Sequence, residues 1–221
     1  MRRLLRENGL SVALVVLFLL FMAGQTLTGQ QEYNEELRSR GEDAVQLTAY
    51  LASGHFWEAT AENWESEFLQ MAAYIVLTVF LFQRGSSESK DPDKRESVDR
   101  DPRLSAGKKG VPGPVRRGGW PLRLYENSLS LVFVGLFLLS IGVHAVGGAA
   151  AYSEEQVAQG ESPVPVLEYV HTARFWFESF QNWQSEFLSL AAMVILSVFL
   201  RQRGSPESKP VDAPHGKTGT D

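Results

Sequence analysis

The chain contains no cysteine among its 221 residues. Disulfide bonds, thiolate catalysis and cysteine-ligated zinc or iron–sulfur sites are therefore excluded. The sequence also lacks a P-loop, a G-x-S-x-G nucleophile elbow, an H-E-x-x-H zinc motif, a glycine-rich dinucleotide fingerprint and an EF-hand loop. These absences predict a protein that is not an enzyme and that holds no metal and no cofactor.

Long apolar runs are present, although the average composition hides them. A mean hydropathy of -0.14 and a net charge of -5 are typical of soluble acidic proteins. Residues 12–23, however, are apolar on every helical face, and such a helix must be buried on all sides, as it is in a bilayer. Short helices buried in a soluble bundle are the alternative. The apolar residues fall into four blocks, at residues 10–24, 68–82, 129–151 and 187–200.

The chain contains the same unit twice. Residues 4–93 align without a gap with residues 123–212 at a constant offset of 119, and 40 of the 90 pairs are identical. Any feature that the architecture requires should therefore appear in both copies. The best-retained element reads F-W-x5-N-W-x-S-E-F-L-x2-A-A and begins at Phe56 and at Phe175.

These patterns predict an all-α membrane protein with four transmembrane helices, arranged as two parallel-orientation repeats of a two-helix hairpin. Short amphipathic helices are expected in the outward loops. The two hairpins either form one four-helix arrangement or complete their packing in a homo-oligomer. The predicted parts are a first repeat at residues 1–90 with spans at about 8–28 and 63–83, a linker at 84–120, a second repeat at 121–203 with spans at about 127–149 and 182–202, and a tail at 204–221.

The distribution of Lys and Arg predicts the orientation. Residues 83–120 carry ten of these cations, whereas residues 25–65 carry two and residues 144–184 carry one. Because positive charge is retained on the cytoplasmic side, both termini and the linker are predicted to be cytoplasmic. The chain is therefore expected to be a multi-pass protein of the inner (plasma) membrane.

The linker and the tail are rich in Ser, Gly, Pro and charge and have few apolar residues. Both are predicted to be disordered, because they bury too little surface to offset chain entropy. The favoured interpretation of the linker is a topology signal and a tether, and the alternative is that its basic end contacts anionic lipid headgroups of the bilayer. No nucleic-acid partner is expected. The residues for lipid contact are Lys108, Lys109, Arg116 and Arg117.

Glu67 and Glu186, at equivalent positions of the duplicated element, are the sharpest functional candidates. A carboxylate at the edge of an apolar span is costly unless it is paired or hydrated, and it often marks an ion or proton path. The competing interpretation is structural. Asn63 or Ser66, with Asn182 as the second copy's counterpart of Asn63, caps the helix, and a glutamate in the first turn interacts with the helix dipole.

The tryptophans of the duplicated element are candidates for packing. Trp57 and Trp64 are seven residues apart, as are Trp176 and Trp183, so each pair follows one helix face. That face is expected to pack against a neighbouring helix. The alanine pair that follows in each copy permits close helix approach in a bilayer.

Gln25 and His144 occupy equivalent positions near the outward ends of the first and third spans. A histidine can titrate near neutral pH. Because the first copy has glutamine there, the shared requirement is at most a hydrogen-bonding group, and an interhelical hydrogen bond is the favoured interpretation. The other histidines fall at non-equivalent positions, which argues against a histidine-based metal site.

The two-span unit with F-W, N-W-x-S-E-F and a following R-G-S segment, written twice, resembles a bacterial family of integral membrane proteins classed only as a domain of unknown function. Its most specific part lies at residues 63–68 and 182–187. The resemblance implies a bacterial inner-membrane location and brings no activity. A structural or interaction role at the cell envelope is therefore predicted. The alternatives are a small channel or transporter that moves an ion or proton past Glu67 and Glu186, and an envelope sensor that signals through the linker.

Overall fold

A computed structural model describes residues 2–219 of the chain, with side chains from residue 6 onward. Within this range the chain forms helices, turns and loops and contains no strand, so the all-α prediction is confirmed there. Two short 3-10 turns lie in the linker, at Ser97–Asp99 and Pro102–Ser105. The α-helices are α1 (Arg2–Ser39), α2 (Leu47–Tyr50), α3 (Gly54–Phe80), α4 (Gly113–Arg117), α5 (Gly119–Glu126), α6 (Ser128–Ala158), α7 (Val166–Tyr169) and α8 (Ala173–Phe199).

The two copies start their second long helix in the same way. Ser53 and Thr172 precede α3 and α8, and their hydroxyl oxygens accept hydrogen bonds from the amides of Phe56 (3.2 Å) and Phe175 (3.3 Å). Such side-chain caps satisfy amides that have no partner at a helix start. Both helices therefore begin about ten residues before the predicted span, and the outward amphipathic helices are reduced to the short α2 and α7.

Three helices are long and apolar enough to cross a membrane, whereas the sequence predicts four spans. They are Arg6–Ser39 of α1, the whole of α6 and the whole of α8. Each is longer than the span predicted for it, because the helix continues into polar sequence at the end that is predicted to face outward. The structure thus corrects the predicted number of clear candidate spans from four to three among the residues that it describes.

Polar residues in α3 explain the missing candidate. The helix is 27 residues long, the same length as α8. It carries Glu65 and Gln70 where α8 carries Gln184 and Ser189, and charged and polar side chains make a helix less favourable for membrane insertion. The apolar part of α3 is correspondingly shorter, so length alone does not make it a spanning helix.

The chain divides into two compact units. The first comprises Met1–Ala61 and Gly142–Trp176, and the second comprises Glu62–Ile141 and Phe177–Asp221. Each unit therefore contains segments of both copies of the repeat. Aromatic side chains form the core of the first unit, where Tyr33, Leu37, Tyr50 and Phe56 are buried and Met22 and Val45 pack against them.

In the second unit, α3 and α8 are followed by the same loop, which the sequence writes as Q-R-G-S-x-E-S-K in both copies. The Ser89 hydroxyl accepts a hydrogen bond from the amide of Gln83, and the Ser208 hydroxyl accepts one from the amide of Gln202, both at 2.9 Å. The duplicated loop that contains the R-G-S segment therefore has a local structural role, because these hydrogen bonds turn the chain after each helix.

The lysine that ends this loop has different surroundings in the two copies. Lys90 forms a partly exposed ion pair with Asp99 (2.7 Å). Lys209 is only 1% exposed. Burial lowers the pKa of Lys209, and the charges of Arg201 and Lys217 lower it further.

The ammonium group of Lys209 is surrounded by backbone carbonyl oxygens. It donates hydrogen bonds to those of Gly85, His215 (2.9 Å) and Lys217 (2.8 Å), and those of Val198 (3.4 Å) and Pro214 (3.5 Å) lie further away.

The ammonium of Lys209 therefore connects the tail to the loop that follows α3. Two further hydrogen bonds join the same segments, from the Gly219 amide to the Ser86 carbonyl and from the Gly85 amide to the Thr218 hydroxyl, both at 2.9 Å. Hydrogen bonds to one buried cation, and not apolar burial, join these two segments.

Replacing Lys209 by Met should release the tail from the loop that follows α3. The change removes the donor of three close carbonyl oxygens, and buried acceptors without a donor cost about 1–3 kcal/mol. We expect hydrogen exchange at the amides of Gly85 and Gly219 to become roughly tenfold faster or more. The matched control is Lys90→Met at the equivalent position of the first copy, which should leave both amides nearly unchanged. Equal exchange rates in the two variants would contradict the role assigned to Lys209.

Candidate functional site

Charged side chains of both copies meet around Arg174 in the first unit. Arg174 lies near the start of α8, and its Nη1 donates to Glu155 Oε2 of α6 at 2.6 Å. Its Nη2 lies 3.9 Å from Glu58 Oε1 of α3. The guanidinium carbon lies 5.3 Å from the centre of the Tyr152 ring, which is within the range of a cation–π contact. We call these residues, together with Tyr169, the arginine cluster.

The Glu58 carboxylate is the buried member of the arginine cluster. Only 8% of Glu58 is exposed, and Tyr169 beside it is fully buried. The Tyr169 hydroxyl donates a hydrogen bond of 3.1 Å to Glu58 Oε1. Burial of a carboxylate is unfavourable unless hydrogen bonds and an opposite charge compensate it, and Tyr169 and Arg174 supply both.

Two glycines place Glu58 against α6. A Cβ atom at Gly147 would lie 2.7 Å from the backbone nitrogen of Glu58, and one at Gly54 would lie 2.6 Å from the Gly147 carbonyl oxygen. Both distances are shorter than real Cβ contacts, so any side chain at either position would force the backbones apart. The close approach of α3 and α6 is what brings Glu58 within reach of Arg174.

A second polar contact connects α1 with α6. The Tyr33 hydroxyl donates to Glu154 Oε2 at 2.8 Å, which pairs a residue of the first copy with one of the second. Beside it lies an open cavity of 520 Å³, lined by these two side chains, by apolar residues that include Leu37 and Val157, and by the acids Glu42 and Asp43. Arg40, which also lines the cavity, is paired with Glu36.

Tyr50 lies at the centre of the aromatic core beneath these contacts. Its ring centre is 5.8 Å from that of Tyr33 and 5.6 Å from that of Phe56. Burial raises the pKa of the Tyr50 hydroxyl, and the charge of Glu32 raises it further. The hydroxyl therefore keeps its proton and acts as a neutral polar group, 3.4 Å from Nδ1 of His55.

In the second unit, polar side chains join α3 to α8. The Trp183 indole donates to Glu65 Oε1 at 3.1 Å, and Glu65 is fully buried. The Gln70 amide donates to the Glu186 carbonyl oxygen (2.7 Å) and to the Ser189 hydroxyl (3.1 Å). The residues that make α3 less apolar than α8 therefore have partners on α8.

The helix-cap interpretation of Glu67 and Glu186 is wrong. Because α3 begins at Gly54 and α8 at Ala173, both glutamates lie in helix interiors and not in first turns. The Ser66 hydroxyl donates back to the Asn63 carbonyl at 2.8 Å and caps no helix start. Glu67 is exposed and Glu186 is half-buried, and the two carboxylates lie close enough to interact electrostatically.

The asparagines and the inner tryptophans of the duplicated element also lie in helix interiors. Asn182 donates to the Glu178 carbonyl of its own helix at 3.1 Å. Trp64 is half-buried, and so is Trp183, whose ring centre lies 6.2 Å from that of Phe137 of α6. The packing predicted for this helix face is therefore present at Trp183.

The outer tryptophans, Trp57 and Trp176, are 40% and 41% exposed. Each makes an edge-to-face contact with the phenylalanine before it, at 5.4 Å between ring centres. The Trp176 indole also donates to the Val170 carbonyl at 3.1 Å. The two copies thus give this aromatic pair the same geometry, which indicates a structural requirement.

Gln25 and His144 differ in their surroundings. Gln25 donates to the Thr60 hydroxyl of α3 at 3.2 Å, in line with the interhelical hydrogen bond predicted from the sequence. His144 is fully buried and stacks on Phe175 at 4.9 Å between ring centres.

Sequence reasoning missed Glu58, Glu65 and Arg174, because it gave most weight to residues that occur in both copies. The second copy has Phe177 in place of Glu58 and Gln184 in place of Glu65. These substitutions were themselves a signal. A glutamate that aligns with a phenylalanine of the other copy indicates different surroundings at the two positions. Here the other copy supplies the hydrogen-bond donor and the cation that compensate the glutamate.

Replacing Arg174 by Met should destabilise the first unit. The change leaves the buried Glu58 without its cation, and we expect a loss of about 1–3 kcal/mol in the free energy of unfolding. The double variant Glu58→Gln/Arg174→Met should recover part of this loss, because the uncompensated charge is then gone. The control is Arg38→Met, which removes an exposed cation of α1. A loss as large for Arg38→Met, or no recovery in the double variant, would contradict the pairing. Thermal unfolding in detergent is the measurement.

Comparisons with known proteins place the whole chain in one family. No curated protein and no solved structure matches the chain. The family called Domain of unknown function (DUF6766) matches residues 1–220. The match covers both copies of the repeat together with the linker and the tail. The chain therefore belongs to the DUF6766 family.

Proposed function

We propose that this protein is a non-enzymatic integral protein of the bacterial inner membrane with a structural or interaction role at the cell envelope. The observation that carries the proposal is the pairing of the polar groups on the long helices. Glu65 and Gln70 form hydrogen bonds with α8, and Glu58 is compensated by Tyr169 and Arg174. Side chains used in this way join helices and are not available for catalysis.

The same contacts support a fourth membrane crossing by α3. A hydropathy average treats Glu65 and Gln70 as exposed to lipid. In the folded protein, however, Glu65 is fully buried and Gln70 is nearly so. In a bilayer, polar side chains are tolerated where they face protein and have partners. Four crossings by α1, α3, α6 and α8 also agree with the even number that the duplication of a two-helix hairpin requires.

The distribution of charge supports an orientation with the linker and both termini in the cytoplasm. The arginine cluster then lies on the outward side, at the ends of α3, α6 and α8. Its charges pair with one another, which favours a role in holding the two copies together. The exposed aromatic residues of this end, Trp57 and Trp176, suit contact with the interfacial lipid or with an envelope partner, including a second copy of the chain.

Cysteine labelling tests the four crossings, and the absence of native cysteine makes each added cysteine the only reactive thiol. We expect Ser39→Cys and Ser162→Cys to react with a membrane-impermeant maleimide in intact spheroplasts, because both lie in predicted outward segments. Ser97→Cys in the linker should react only after the membrane is permeabilised. Equal labelling of Ser39→Cys and Ser97→Cys in intact cells would mean that α3 does not cross. The unmodified chain is the control for background labelling.

A proton or cation path is the second candidate function. It is favoured by one observation, the electrostatic proximity of Glu67 and Glu186, which come from different copies. Loss of the helix-cap explanation removes the simplest structural role for the two side chains. Two nearby carboxylates repel one another, and binding of a proton or a cation would relieve that repulsion.

Proton flux into liposomes separates the two candidates. The structural role predicts flux near that of protein-free liposomes, and it predicts that Glu67→Gln/Glu186→Gln is at least as stable as the wild type, because two like charges are removed. The control pair is Glu7→Gln/Glu126→Gln, which removes the same charge from another pair of equivalent positions. Wild-type flux that is lost in the first pair and kept in the second would establish the path and overturn the proposal that the protein has a structural role alone.

A further inference from the structure

The basic end of the linker is folded into α4 and α5, which have a buried side and an exposed side. Val115 of α4 and Leu122 of α5 are buried, and the two helices pack on each other. Trp120 and Leu124 lie one turn apart on α5, opposite Leu122, and they expose 72% and 57% of their surface. Two large apolar side chains on one face of a polar segment are unusual unless something covers them.

The charge of this segment has a single sign. Residues 106–125 contain no acidic residue. The Arg123 guanidinium lies 5.5 Å from the centre of the Trp120 ring, so charge and aromatic surface occupy the same face. The cations of the segment, all of them exposed, are Lys108, Lys109, Arg116, Arg117 and Arg123.

The first half of the linker, residues 84–105, is different, because it contains as many acids as cations, six of each, and ion pairs join some of them. Arg84 pairs with Asp93 at 2.7 Å, and Lys94 pairs with Asp91 at 3.3 Å. Hydrogen bonds to Lys90 and to the Glu96 amide lower the pKa of the Asp99 carboxyl, which keeps that partner ionised. The linker therefore separates into a half whose charges compensate one another and a half that is purely basic.

The fold also determines where the basic half lies. α5 ends at Glu126, and α6, which is long enough to cross a membrane, begins at Ser128. The exposed face of α5 is thus within one turn or two of the point where the chain enters the bilayer. Tryptophan and arginine are the side chains that favour the headgroup region, the first for its amphipathic ring and the second for its bonds to phosphate.

We propose that α4 and α5 dock on the cytoplasmic leaflet and bind anionic lipid headgroups, with Trp120 and Leu124 inserted at the interface and Arg116, Arg117 and Arg123 on the phosphates. This inference rests on the proposed topology, which puts the linker in the cytoplasm. The occupant follows from charge complementarity and from the covalent connection to α6. A purely basic, tryptophan-bearing face next to a spanning helix matches a negatively charged membrane surface.

The test uses the full-length protein with a nitroxide spin label on Leu124→Cys, reconstituted in vesicles of phosphatidylcholine alone or with a third of phosphatidylglycerol. Electron paramagnetic resonance then compares the access of oxygen and of a water-soluble nickel chelate to the label. In the anionic vesicles we expect the ratio of oxygen access to nickel access to rise severalfold. Molar salt should reverse much of the rise, because it screens the headgroup charge.

The matched control uses the two halves of the linker. In the same labelled chain, Arg116→Gln/Arg117→Gln should weaken docking roughly fivefold per charge removed. Arg100→Gln/Arg103→Gln removes the same charge from the other half and should leave the label docked. Equal effects of the two pairs would overturn the proposal, since they would show a response to total charge and not to this face.

Two other outcomes would also overturn it. A label that stays aqueous in both kinds of vesicle would mean that the face is not docked. A label buried in neutral vesicles and insensitive to salt would mean that it packs on protein. Failure of the topology is distinguishable, because Leu124→Cys would then react with impermeant maleimide from outside intact cells. A cytoplasmic but aqueous label would instead leave the topology standing and remove only the lipid contact.

Discussion

Each polar side chain on a long apolar helix needs a partner within the protein. This constraint determines which helices pack against each other. Water compensates an exposed carboxylate, but a buried one requires hydrogen bonds and opposite charge. Glu58 meets that requirement with Tyr169 and Arg174, and Glu65 has the Trp183 indole as a donor. These contacts join residues of the first copy to residues of the second. The polar positions therefore specify which helices meet, while the apolar positions accept many partners.

The duplication has diverged where the copies contact each other. Residues present in both copies serve local structure: the Ser53 and Thr172 caps, the Phe–Trp edge contacts and the loop after α3 and α8. Several contacts between copies, by contrast, use residues present in one copy only, which are Glu58, Arg174, Glu65 and Gln70. A requirement of the repeat itself is met twice, because each copy must form the same helices and loops. A contact between copies needs complementary partners, and two identical surfaces seldom provide a carboxylate and its cation together.

Lys90 and Lys209, which end the same loop in the two copies, differ in the same way. Lys90 makes a local contact, and Lys209 makes a contact between copies. Lys90 pairs with an acid of the linker, and Lys209 is surrounded by carbonyl oxygens of the tail and of the first copy's loop. Identical local sequence thus acquires two roles from the segment that follows it. Composition favours disorder for such polar segments, since it registers little apolar burial. It does not register a single buried ammonium group that several backbone carbonyls share.

The sequence by itself determined the all-α class, the duplication, three of the long apolar helices and the basic character of the linker, because periodicity and charge are local properties. It also identified Gln25 and Trp183 as residues that join helices. Only the tertiary structure placed Glu67 and Glu186 in helix interiors, since the true caps lie at Ser53 and Thr172. Glu58, Glu65 and Arg174 likewise depended on it, because compensation of a buried charge is decided by residues more than a hundred positions away in the chain.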